Sequence, residues 1–194
     1  MHERSPKNTP LDVILYEIDM LRHCAQTLSA KMAVAIKTGS DADRAEYYLG
    51  IEGFLLHLRN LIGFFVKEPR KTDLSIERPN QWAERPVELR EHADLTERVQ
   101  QINKAHGVRR RDCYTQISKF LQHCTTHRHE EARSWAIERI YADIEPVLNE
   151  FVNRFAAHTE TAAMLPGRVD NSTASFRTFH GLLQIDERGP EGDE

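Results

Sequence analysis

The stretch "ILYEIDMLRHCAQTLSAKMAVA" (Ile14 to Ala35) carries Ile14, Ile18, Leu21, Ala25, Leu28, Met32 and Ala35 at alternating intervals of four and three residues. Only a helix turns all of these to one side, so the spacing predicts a long amphipathic helix with one buried face. Its ends are legible too. Thr9 suits the N-cap, Pro10 the first helical position and Asp12 the first turn, while Gly39 suits the C-terminal cap.

Ser40 then caps a second helix, with Asp41 and Asp43 in its first turn and Tyr48, Ile51, Leu55, Leu58, Ile62 and Phe65 along its stripe. Two long helices joined by so short a turn must pack antiparallel. The stretch from residue 68 to 84, "EPRKTDLSIERPNQWAE", reads as an irregular connector anchored by Leu74, Ile76 and Trp82. A third helix is expected from Pro86, with Val87, Leu89, Leu95, Val99 and Ile102, stopping before Gly107. A fourth covers roughly Arg109 to Thr126, and a fifth runs from about Glu130 to His158, where Pro146 should kink or break it. The expected fold is thus all-α: a bundle of about five helices built on a long antiparallel pair. The bundle occupies residues 1–158, and an irregular, partly disordered tail occupies 159–194.

The 194 residues suffice for one domain with a core of its own, without disulfides or metal. A chain 40% hydrophobic and 29% charged is expected to be soluble, and no apolar run is expected to be long enough to cross a bilayer. The start, "MHERSPKNTP", has no secretory h-region, so a cytoplasmic location is expected. Cys24, Cys113 and Cys124 are odd in number and lack metal-ligand spacing, which fits small buried hydrophobes. The net charge of −4 resides in the last nine residues, "DERGPEGDE"; the remainder is neutral, which disfavours avid duplex binding but permits a local basic patch.

Within the second helix, "HLRNLIGFF" (His57 to Phe65) sets three hydrogen-bonding side chains among leucines and phenylalanines. At about 100° per residue, His57 and Arg59 fall on the shoulders of the stripe and Asn60 nearly opposite it. Gly53, Leu56, Gly63 and Phe64 share the Asn60 side, a second apolar face where another helix could approach closely, either inside the bundle or across a homodimer interface.

Three further groups invite chemistry. "QHCTTHRHEE" places His123 and His127 one helical turn apart, His127 within the inward stripe and His123 at its margin, where an imidazole needs a partner. The glutamate of a zinc-protease motif is missing, and neither a metal nor a cofactor is expected. Arg109, Arg110 and Arg111 in "HGVRRRD" would sit where the helix dipole disfavours cations, which marks them as candidate phosphate or RNA contacts.

Together, "FLLHLRNLIGFF" and "ISKFLQHCTTHRHEEARSWAIERIYADIEPVLNEFV" resemble bacterial all-helical proteins related to the HEPN superfamily, over about residues 10 to 155. HEPN domains are often dimeric helical bundles, and many are metal-independent ribonucleases of toxin or antiphage systems. Their motif is an arginine, commonly followed by a polar residue, with a histidine after four to six intervening residues. Arg59 and Asn60 match its first half, whereas positions 64 to 66 are Phe, Phe and Val. The one formal alternative, Arg85 to His92, has Pro86 after its arginine. In the second segment, where the relatives tend to read Ile-Asn-Lys-His-x-x-His, this chain has Ile117, Ser118, Lys119, Phe120 and His123. The resemblance implies an RNA endonuclease with Arg59, Asn60, His123 and His127 as catalytic residues. Its alternative is a catalytically inactive, dimerising or binding module of the same fold.

Overall fold

The structure is a computed structural model that describes residues 9–108, 110–122 and 135–156. Five α-helices account for most of them: α1 (Pro10–Thr38), α2 (Asp41–Val66), α3 (Ala93–Ala105), α4 (Cys113–Gln122) and α5 (Ile137–Phe155). Among the described residues there is no strand, only an isolated bridge between Val108 and Arg111.

The hinge of the α1–α2 pair forms where the sequence places it. Thr9 and Asp12 exchange backbone and side-chain bonds in a capping box, Gly39 takes a left-handed φ of 63°, and the Asp43 amide donates to the Ser40 hydroxyl at 3.1 Å. Successive contacts away from the hinge establish the antiparallel register: Lys31 with Glu46, Leu28 against Gly50, Cys24 against Gly53, Glu17 with His57. A Cβ on Gly53 would lie only 3.0 Å from the Cys24 sulfur, so this glycine serves the close approach of α1.

The second apolar face of α2 is therefore divided. Phe64 is buried against Phe65, Trp82 and Phe151, Gly63 makes room for Tyr114, and Leu56 stays exposed. Gly53 thus admits helix α1 inside the bundle, one of the two expected uses of this face, while Gly63 admits the Tyr114 ring of the same chain. By length and composition α2 also qualifies as a membrane-crossing helix, contrary to the sequence reading; Phe54, Leu55, Leu58, Leu61 and Ile62 on it are all core.

Towards the open end of the hairpin the other helices complete the core. Ile76 and Trp82 anchor the connector as expected, and the Trp82 indole N–H donates to the Ser75 carbonyl at 2.8 Å. Asp94 pairs with both guanidinium arms of Arg154, which also meets Glu150, and Glu150 in turn meets Arg98, so ions stitch α3 to α5. Arg22 joins α1 to α5 by donating from Nη2 to the side-chain Oδ1 of Asn149 at 2.5 Å. Beside it, burial raises the Asp19 carboxyl to about 6, although Arg22 pulls the other way.

Some element boundaries differ from expectation for local reasons. Helix α3 begins at Ala93 rather than Pro86, because the Glu91 carboxylate accepts from the Glu88 amide and Arg85 and winds residues 89–91 into a 3-10 turn, with Leu89 exposed. Helix α4 starts at Cys113, where Asp112 caps it by accepting from the Thr115 amide at 2.7 Å. Pro146 neither ends nor splits α5: both it and Ala142, whose carbonyl its absent N–H would have bonded, face solvent. Trp135 precedes α5, and residues 130–134, 157 and 158 of the expected fifth helix lie outside the described residues. So do the tail after 158 and Cys124; Cys24 and Cys113 are buried, as expected. Tyr48 and Met32, placed in the stripes, are exposed near the hinge.

His92, just ahead of α3, is 3% exposed, and its Nδ1 has no hydrogen-bond partner among the described residues. Burial lowers its pKa from 6.5 more than Glu77, Glu91 and Asp94 raise it. The folded protein thus keeps this imidazole neutral where the unfolded chain would protonate it, and the stability it contributes is present above 6.5 and drains away as pH falls through the lowered value. Denaturant midpoints should fall from neutral pH to about pH 5, and His92→Gln should flatten that fall. An identical slope in the variant would refute the assignment.

Candidate functional site

The polar residues of "HLRNLIGFF" form a chain of contacts running from α1 through α2 to α4. On the α1 side, Glu17 Oε2 meets His57 Nδ1 at 2.8 Å and accepts from Asn60 Nδ2 at 3.1 Å, and the Tyr16 ring lies edge-on to His57. On the α4 side, Arg59 Nε donates to the Ser118 hydroxyl at 2.8 Å, and its guanidinium carbon lies 5.1 Å from the centre of the Tyr114 ring. Arg59 Nη1 reaches Asn60 Oδ1 at 3.4 Å, closing the chain. The helical wheel keeps the three residues apart, yet their side chains are long enough to join through partners on the flanking helices.

Tyr114 is a platform with two cations. Lys67 Nζ lies 4.5 Å from its ring centre and pairs with Asp112 at 3.2 Å. Its position is fixed from behind, since the Tyr114 amide donates to Asn103 Oδ1 at 2.9 Å and Asn103 is buried on α3. Burial opposes the Asp112 carboxylate, but hydrogen bonds from Thr115 and Lys67 outweigh it and hold its pKa below 3.8. Asp112 thereby fixes both the start of α4 and the direction of Lys67.

These groups open onto a groove of about 640 Å³ bordered by Arg59, Asn60, Lys67, Glu68, Arg70, Asp73 and Tyr114, with Phe64 beneath. Arg59 is held through Nε and Nη1, while Nη2 has no hydrogen-bond partner among the described residues. A guanidinium fixed at one edge with donors left over on the other is suited to an oxyanion. Among the described residues no group of three His, Cys, Asp or Glu side chains is placed to hold a metal ion.

Of the residues singled out by sequence, Arg59 and Asn60 are therefore in one network at one groove. Arg110 and Arg111 are exposed, but in a tight turn ahead of α4 rather than in its first turn as expected; Asp112 takes the capping position instead. Gln116 Nε2 pins this turn by donating to the carbonyls of Val108 (2.7 Å) and Arg111 (3.0 Å). A Cβ on Gly107 would collide with the Arg111 carbonyl at 2.2 Å. Arg109, His123 and His127 lie outside the described residues. Glu17 and Lys67 escaped the sequence reading as site residues, although counting outward from the hinge places Glu17 opposite His57 and Asn60.

Comparison of the chain with protein-family models, curated proteins and solved structures finds no match among them.

Proposed function

We propose that the protein is a HEPN-like, RNA-directed endonuclease whose groove beside Tyr114 takes a single-stranded RNA backbone. One observation carries this reading: Arg59, held by Ser118, and Lys67 are gathered over one aromatic ring at a groove, which brings two cations together for phosphate. Arg110 and Arg111, exposed in the turn that precedes α4, add further positive charge. His123 or His127, which follow α4 in the chain, would take the proton of a 2′-hydroxyl as its oxygen bonds to phosphorus. The bond to the 5′-oxygen breaks, that oxygen receives a proton, and Arg59 stabilises the charge on the phosphorane oxygens. The products are a 2′,3′-cyclic phosphate and a 5′-hydroxyl.

The test is incubation of single-stranded RNA with the purified protein in a chelator. Cleavage to cyclic-phosphate ends is expected, with loss in Arg59→Ala and in His123→Ala. Intact RNA, together with growth toxicity that neither variant relieves, would end the nuclease reading.

A second reading, a catalytically inactive homodimerising module, draws on a different observation. Ile36, Tyr48 and Leu49 near the hinge are each at least 59% exposed, and Leu56 is exposed further along α2. Light scattering should then show a dimer that Leu49→Glu and Leu56→Glu separate into folded monomers; a wild-type monomer would exclude it. Phe64→Glu would be uninformative, because Phe64 is in the core.

A further inference from the structure

The groove does not end at Asn60. Beside it, against α1, lies a smaller lobe of about 240 Å³ walled by Val13, Ile14, Glu17 and Leu61, with Asn60, Phe64, Asp73 and Leu74 bordering both. The lobes differ in charge. Arg59, Lys67 and Arg70 outnumber Glu68 and the shared Asp73 along the larger, whereas the charged residues bordering the smaller are both acids, Glu17 and Asp73. A ligand that fills both must present an anion at one end and hydrogen-bond donors on a flat, apolar body at the other.

We propose that the groove selects a guanine nucleotide unit of RNA, phosphate against Arg59 and Lys67, base in the smaller lobe with its N1–H and 2-amino donors on Glu17 and Asp73. The proposal rests on the RNA-directed reading above and adds base selectivity to it. Ionised carboxylates only accept hydrogen bonds. Guanine sets N1–H and an amino group side by side on one edge. Adenine and cytosine put a lone-pair nitrogen beside their amino group, and uracil flanks its single N–H with two carbonyls; each turns lone pairs towards the carboxylates.

The carboxylates have capacity to spare. Glu17 receives His57 and Asn60 on Oε2, and Asp73 receives the Arg70 amide on Oδ2, while Glu17 Oε1 and Asp73 Oδ1 take no hydrogen bond among the described residues. His57 and Asn60 thus hold Glu17 in place without consuming it. The side chains of Val13, Leu61, Phe64 and Leu74 offer the faces of a base the apolar contact that stacking uses.

The experiment is competition, on the full chain, for a fluorescein-labelled 2′-O-methylated single-stranded RNA, which cannot be cleaved. Guanosine monophosphate should displace it at roughly tenfold lower concentration than uridine monophosphate, with the adenosine and cytidine nucleotides between. In Glu17→Gln and in Asp73→Asn the labelled RNA should bind more weakly, held through its phosphates, and the preference for guanosine monophosphate should shrink to about twofold or less. Asp73 is exposed in the connector, so its variant reports even if Glu17→Gln disturbs the α1–α2 pair. If the RNA binds but all four nucleotides displace it alike, or Asp73→Asn keeps the full preference, guanine selection is wrong and the RNA reading stands. If the labelled RNA does not bind at all, both fall.

Discussion

Phe151→Ala is expected to lower the stability of the protein by about 4 kcal/mol, the range found when a buried phenylalanine is truncated. Phe151 is fully buried and its ring touches four others: Phe64 at 5.7 Å, Phe65 at 5.6 Å, Trp82 at 5.6 Å and Phe155 at 5.2 Å between centroids. Truncation removes the burial of one large side chain, the edge contacts it makes, and the filling of a site that rigid aromatic neighbours cannot collapse into. A melting temperature lower by about 10 °C would accompany it. Leu89→Ala, at a site 72% exposed, should shift stability by less than about 0.5 kcal/mol and serves as the control. Equal effects at the two sites would mean that the core is not where the fold places it.

The second large effect concerns Arg59. Arg59→Ala should reduce RNA cleavage by about 10²-fold to 10³-fold, as loss of one donor to a developing oxyanion does. The fold should survive, because Arg59 is only half-buried and its ties to Ser118 and Asn60 are side-chain bonds at the groove wall. Arg59→Lys should rescue little. A lysine ammonium is a single point of donation and cannot both bond Ser118 and present a second nitrogen to phosphate in one plane. Substantial recovery with lysine would indicate that charge alone matters and that the Ser118 tether plays no part. Measuring turnover and RNA affinity side by side separates transition-state stabilisation from binding.

The α1–α2 hairpin was legible from sequence because its signals are local: a capping box at Thr9, a left-handed glycine at 39, a hydroxyl cap at 40 and stripes that need only helical periodicity. Where pattern misled, a specific competing interaction prevailed. The Glu88–Glu91 box held residues 86–92 out of α3, and the solvent-facing position of Pro146 removed the penalty that should have interrupted α5. Tyr48 and Met32 show that periodicity finds a face without saying how far along the helix that face is covered.

The site was legible by half. Arg59 and Asn60 stood out as polar residues in an apolar helix, but a wheel drawn for one helix cannot show that Glu17, Ser118 and Tyr114 arrive from α1 and α4 to join them. Lys67 caps the C-terminal end of α2, and its role appears only once Asp112 and Tyr114 are beside it. Long-range partners of this kind leave no local signature; register counted from the hinge would have supplied Glu17 alone.

Ultraviolet cross-linking of a short single-stranded RNA to the protein, followed by mass spectrometry of the joined peptides, bears most directly on the groove beside Arg59 as the place where RNA lies. An adduct on Tyr114, weakened in Arg59→Ala, is the expected result. Adducts confined to Tyr48 and its neighbours near the hinge, unchanged by the Arg59 substitution, would contradict it.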